Sequence, residues 1–190
     1  MMREISSGGV VVRNRNDAWW MAAIELPPQP RVPAGAKARS ERAKSATPGT
    51  KATLCLPKGL VDPGEKPLGA ALREVREETG ITAELVTKLG DSKYVYVRSW
   101  GDRQKVFKIV SFYLLRYKSG RIDDVSDEMR IEVARALWIP LHDAPKLLAY
   151  KGEKEMARRA LEYVTTNPDL APTGEGALEA VDAPRRAPRR

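Results

Sequence analysis

The 190-residue chain contains one cysteine, one histidine and two phenylalanines. A lone Cys55 rules out an internal disulfide, and no Cys/His spacing of the zinc-binding kind accompanies it. In a short apolar run it reads as a buried small residue. With His142 as the only histidine, neither a histidine-based triad nor a histidine-rich metal centre has its residues; His142 reads as a surface or capping residue. No apolar run reaches 18 residues, so no membrane-spanning helix is expected. The opening "MMREISSGGVVVRNRND" breaks its apolar run with charges and has no signal-peptide core. These absences point to a cytoplasmic protein.

Hydrophobic residues make up 42% of the chain, enough for a core of ordinary domain size. The formal charge is +8, and most of it is local: residues 27–51 hold six cations against Glu41, a net +5. That segment is rich in Pro, Ala and Ser and nearly devoid of large apolar side chains. It reads as a mobile insertion, a solvated loop rather than a nucleic-acid-binding arm. Anionic partners are favoured either way.

Around the insertion, strand patterns run over Ile5–Arg13, Ala18–Glu25 and Ala52–Leu56, the first two joined by the turn "NRND". Further strands are expected at Thr82–Leu89, Tyr94–Arg98, Val106–Tyr117 and Val133–Ile139, with a Gly101-Asp102 turn closing a hairpin. Helical periodicity covers Leu141–Ala149 and Glu153–Thr166. From Asn167 onward the pattern stops, and a disordered tail is expected over 167–190. The reading is a single mixed α/β domain over residues 1–166.

The densest chemistry lies in "GLVDPGEKPLGAALREVREETGI", Gly59–Ile81. Pro67 suits the first helical turn and Gly80 a C-cap. Leu68, Ala71, Leu72, Val75 and Thr79 make a stripe for packing on a sheet. Glu74, Glu77 and Glu78 share another face at i, i+3, i+4, where like charges repel. Carboxylate oxygens are the ligands that Mg²⁺ or Mn²⁺ prefers, so a divalent ion is the simplest compensation and the three glutamates form a preformed cage for it. Gly59, with no side chain, lets a ligand or metal approach its backbone. Glu65 and Arg73 are expected to pair and brace the loop.

With every position filled, this segment resembles the Nudix box, GX5EX7REUXEEXGU with U aliphatic. Seven fixed residue types at roughly 7% frequency each would coincide by chance about once in 10⁸ windows. The resemblance implies an α/β/α sandwich around a mixed sheet and metal-dependent hydrolysis of nucleoside-diphosphate-linked compounds. It implies catalytic and metal-binding roles for Glu74, Glu77 and Glu78, with the Gly59 carbonyl as a further metal ligand. The general base is Glu74 or a glutamate outside the box, Glu128 or Glu132. The lead-in "LPKG" and the following "PGE" resemble the diadenosine polyphosphate hydrolase and MutT-type subgroup. Tyr96, 15 residues past Ile81, stands near a tyrosine that accompanies that specificity and where ADP-ribose hydrolases carry proline. Tyr94 and Tyr96 either stack on a base or pack in their strand. Lys58, Lys108, Arg103 and Lys105 are candidate polyphosphate contacts, Lys58 the foremost. Trp138 reads as core.

The expected substrate is a small anionic nucleotide, a dinucleoside polyphosphate or a nucleoside triphosphate. The basic insertion raises inositol pyrophosphates or 5′-triphosphate RNA as alternatives, and a non-catalytic nucleotide-binding regulator is a third. A homodimer is left open by the resemblance.

Overall fold

A computed structural model describes residues 2–27, 53–97 and 104–170. Most of the basic insertion, the Gly101-Asp102 turn, Arg103 and the chain after Leu170 lie outside the described residues. A seven-stranded mixed sheet is built from β1 (Met2–Arg15), β2 (Ala18–Leu26), β3 (Thr53–Cys55), β4 (Lys58–Leu60), β5 (Ile81–Val97), β6 (Lys105–Gly120) and β7 (Arg135–Pro140). The central order is β3-β2-β1-β6-β5, with β4 also on β1 and β7 also on β2. Only β1 and β6, among these pairings, run parallel.

Alternation along β1 sorts the core into two layers. Val10 and Val12 face Met156, Ala157, Ala160 and Val164 of α3 (Lys151–Thr166). Val11 faces Val75 of α1 (Pro67–Thr79), together with Ile81 and Leu115. Helices therefore cover opposite faces of the sheet, the α/β/α arrangement that the resemblance of the box implied. Each buried valine or leucine contributes about 1.5–3 kcal/mol by leaving water.

Helix α1 starts on Pro67, whose missing N–H costs nothing in the first turn, and stops at Gly80. Gly80 adopts φ 78°, the left-handed conformation glycine enters freely, and its N–H donates to the Arg76 carbonyl at 2.9 Å. The turn between β1 and β2 is tighter than "NRND" suggested. Asn14 and Arg15 remain in the strand, and Asn16 and Asp17 alone turn the chain with φ of 52° and 58°.

Other boundaries moved for identifiable reasons. The strands expected at Thr82–Leu89 and Tyr94–Arg98 are one strand, β5. Three register shifts against β6 let pairing continue where alternation breaks, and Gly90 at φ 143° carries the chain through. The residues before the box helix were expected to be loop, but Lys58–Leu60 pairs with Ser6–Gly8. Of Leu141–Ala149 only Ala144–Leu147 (α2) is helical. A 3₁₀ turn at Met129–Ile131 carries Glu132 at its end, and another, Pro168–Leu170, follows α3 where tail was expected.

Candidate active site

Strand β4 and helix α1 build the site together. Antiparallel pairing to β1 sends the Lys58 side chain toward α3 and turns Gly59 toward α1. The Glu74 carboxylate packs so closely on Gly59 that a Cβ there would overlap it. One turn further on, Glu78 Oε2 accepts the Lys58 backbone N–H at 2.7 Å. Both carboxylates are buried, at 9% and 6% exposure for Glu74 and Glu78.

Burial dominates their electrostatics. It raises the Glu74 carboxyl above its usual range; Arg73 pulls it down, while Glu77 and Glu132 push it further up. It drives Glu78 up to about 8, against the opposing Lys58 charge and N–H, with Glu74 and Glu132 adding to the rise. Glu132 therefore acts on both buried carboxylates.

Glu77 is placed differently from its two neighbours. Its side chain is 44% exposed and meets Arg73 Nη1 at 3.0 Å. At i+3 from Glu74 it falls on the flank of the helix while Glu74 and Glu78, at i and i+4, turn inward. Among the described residues no group of three or more His, Cys, Asp or Glu is gathered in metal-holding geometry. The preformed cage expected for the three glutamates is therefore a buried pair with a third carboxylate on its rim.

Arg73 is the cation that lies among them. Its Nε and Nη2 donate to the two Glu65 oxygens at 3.1 and 3.0 Å, and Nη2 also donates to the Leu60 carbonyl at 3.0 Å. Nη1 reaches Glu74 Oε1 at 2.7 Å as well as Glu77. Glu65 also accepts the Asp62 N–H, closing the loop onto the helix. The fork geometry of the guanidinium suits this bracing, which a lysine would not reproduce. The pairing of Glu65 with Arg73 was legible in the sequence; the reach of Arg73 to Glu74 and Glu77 was not.

The donor set suits a hard divalent cation. It consists of oxygens only, burial raises the pKa of both inner members, and Gly59 is a cradle that any side chain would fill.

The expected substrate contacts are arranged otherwise than their sequence positions suggested. Lys58 was read as a polyphosphate contact, yet its ammonium is turned inward, 2.7 Å from Glu153 Oε1 and 3.3 Å from the Leu56 carbonyl. Burial disfavours that charge, but Glu153, with Cys55 and Glu78, outweighs the penalty and holds the Lys58 pKa above its ordinary value. Glu153, only 3% exposed, also accepts the Leu56 N–H at 2.9 Å. Sequence reasoning missed it; a carboxylate in the first turn of α3 looks like an ordinary helix-dipole partner.

Tyr96 and Lys108 converge on Glu4. The Tyr96 hydroxyl donates to Glu4 Oε2 at 2.8 Å, and Lys108 Nζ lies 3.6 Å from the same oxygen. Tyr94 sits beside Tyr96 with ring centroids 6.3 Å apart and packs partly on the core under α3. Glu4 has the strand parity of Val10 and Val12, so this cluster lies on the α3 face while Glu74 lies on the α1 face. Trp138, read as core, is only partly buried. His142 is exposed beside Asp143, and Cys55 is buried.

Comparisons with known proteins agree with this geometry. The profile of the NUDIX domain family matches residues 36–160. The protein named MutT4 of Mycobacterium tuberculosis is 36% identical over 135 residues, 70% of this chain and 50% of that protein, so the chain spans half of its length. The asymmetrical bis(5′-nucleosyl)-tetraphosphatase of Mus musculus is 34% identical over 114 residues, 59% of this chain and 72% of the enzyme. A solved C. elegans Ap4A hydrolase complex superposes with a TM-score of 0.54 at 21% identity, over 86% of this chain and 98% of that one, a likeness of fold. Among the described residues no helix is long and apolar enough to cross a membrane. With the complete box, the sandwich fold and the family profile in agreement over more than half of its length, the chain belongs to the Nudix family.

Proposed function

We propose that this protein hydrolyses a pyrophosphate bond in a nucleoside-diphosphate-linked compound, with dinucleoside polyphosphates first and nucleoside triphosphates second. The observation that carries the reading is the buried Glu74 and Glu78 pair beneath Gly59, inside a complete box. The relatives named for tetraphosphate and mutator functions support the substrate class.

Glu74, Glu78 and the Gly59 carbonyl would hold Mg²⁺ or Mn²⁺, with Glu77 free to join by releasing Arg73. Bound there, the metal would neutralise the phosphate oxygens and make water a stronger nucleophile. Arg73 and Glu65 keep the loop and helix in register. Glu132 is the favoured general base, taking the proton of the attacking water on its carboxylate, because its charge bears on both inner carboxylates. Tyr94 and Tyr96 offer rings to a base, and Lys108 a cation to the phosphates once Glu4 is displaced.

A panel of diadenosine polyphosphates, nucleoside triphosphates and 5′-triphosphate RNA, with Mg²⁺ and product identification, tests the reading. Release of mononucleotides from the diadenosine compounds is expected. Metal binding without turnover on the whole panel would leave only a nucleotide-binding regulator. Glu78→Gln should lower kcat at least ~10²-fold, the scale of lost transition-state electrostatics. Glu132→Gln should lower kcat by ~10²-fold or more, the scale of general-base catalysis, with Glu128→Gln near wild type; the reverse pattern refutes the choice of base.

A second reading is removal of pyrophosphate from RNA 5′ ends. The +5 segment at 27–51 favours it, as does an Erythrobacter litoralis RNA pyrophosphohydrolase that is 27% identical over 103 residues. Deleting residues 29–50 should then weaken RNA binding and flatten its salt dependence.

A further inference from the structure

At the far end of β1 from Gly59, a cleft of about 300 Å³ is lined by Arg13, Arg15, Asn16, Ala18, Trp20 and Trp138. Arg13 lies five residues beyond Gly8, the strand partner of Lys58, which puts it about 17 Å along the sheet. The Asn16-Asp17 turn sets Arg13 opposite Trp20 and Arg15 opposite Ala18, while β2–β7 pairing brings Trp138 opposite Ala22.

Among the described residues no carboxylate lines this cleft. Among the described residues the side chains of Arg13 and Arg15 make no hydrogen bond or ion pair. Arg13 Nε is buried and has no partner, an expensive state for a charged donor. The guanidinium is held instead by rings. It lies 4.0 Å from the Trp138 centroid and 5.9 Å from that of Tyr117, which meets Trp138 edge-on at 5.6 Å and 84°. Stacking fixes the plane of the group and leaves its N–H edges to be satisfied in the plane. Arg15 stands close enough to disfavour the charge of Arg13, second only to burial. Two cations thus share one cleft, without a counter-ion, beside the second indole of Trp20.

Opposite charge and an aromatic partner are what this arrangement lacks. We propose that the Arg13–Trp20–Trp138 cleft is a second ligand site, separate from the box carboxylates, that binds a nucleoside monophosphate. The phosphate meets the arginine pair, as planar forks suit phosphate oxygens. The base stacks on Trp20, the kind of contact that indole and nucleobase faces favour. The cleft volume lies at the lower end of small-molecule sites, on the scale of one nucleotide. Without carboxylates it has no means to hold a divalent ion, so it is a binding site and not a second centre of hydrolysis.

The test is a titration of the ¹⁵N-labelled full chain with AMP in EDTA, read at the indole N–H resonances, with Trp20→Phe and Trp138→Phe supplying assignments. The Trp20 and Trp138 signals should shift and saturate, and adenosine or inorganic phosphate alone should bind at least tenfold more weakly. Arg13→Gln and Arg15→Gln should each weaken AMP roughly tenfold or more, the scale of one charge-assisted contact. Arg15 is exposed, so its variant keeps the test decisive if Arg13→Gln fails to fold. Glu78→Gln should leave this titration unchanged, which separates it from the hydrolytic reading. Indole signals that stay still up to millimolar AMP overturn the proposal, as do shifts that Arg15→Gln leaves intact.

Discussion

Replacing Glu153 by glutamine keeps the side-chain shape and a carbonyl oxygen for the Leu56 N–H, but removes the charge that faces Lys58. The pair is short, at 2.7 Å, and both ends are shielded, with side-chain exposures of 17% for Lys58 and 4% for Glu153. Stranding a buried cation costs about 3–5 kcal/mol, much more than the pair contributes relative to a well-packed apolar replacement. For a chain of this size that corresponds to a loss of about 6–20 °C in Tm. Chemical unfolding of Glu153→Gln, Lys58→Met and the double variant Lys58→Met/Glu153→Gln, which keeps an acceptor for the Leu56 N–H, would measure it. The single Glu153→Gln change should be the worst of the three, and the double should recover most of the loss. The pair also anchors the backbone from Leu56 to Lys58, which supplies the N–H to Glu78, so Glu153→Gln should lower kcat as well. A Glu153→Gln loss below about 1 kcal/mol, or a double variant no better than that single, would refute the reasoning.

Gly59→Ala should displace the Glu74 carboxylate, the end of a flexible side chain, and so cost little stability while reducing turnover by ~10²-fold; an unfolded or fully active variant contradicts this. Metal dependence should follow pH in a set direction. Glu78 in the metal-free fold titrates near 8, above its ordinary carboxylate value, so the folded state retains a proton that the unfolded state has lost. Stability without metal should therefore fall as pH rises from about 4.5 to 8, because ∂ΔG/∂pH is negative where the folded state binds more protons. Mg²⁺ must displace that proton, so its affinity, read from the metal-induced rise in Tm, should weaken by about tenfold per unit as pH drops below 8. The same rise should vanish in Glu78→Gln.

The sequence by itself determined the box helix and its ends, since Pro67, Gly80 and the stripe through Val75 are local facts about backbone and periodicity. It also determined the composition of the site, because Glu65 and Arg73 lie close enough along the chain to pair across one loop. Tertiary structure decided what separates like residues. Glu74 and Glu77 are the same chemical group three positions apart, yet only the packing of α1 on β4 makes one buried and the other rim. Lys58 abuts Gly59 in sequence, but strand alternation turns its side chain to the opposite face, where Glu153 lies 95 residues away. Glu132, whose charge bears on both carboxylates, sits at the end of a 3₁₀ turn that no periodicity announced. The cleft at Arg13 needed four strands, β1, β2, β6 and β7, to meet at one end of the sheet. Periodicity encodes which face a residue takes on its own element; which residues of other elements it meets is a long-range fact, fixed only when the sheet closes.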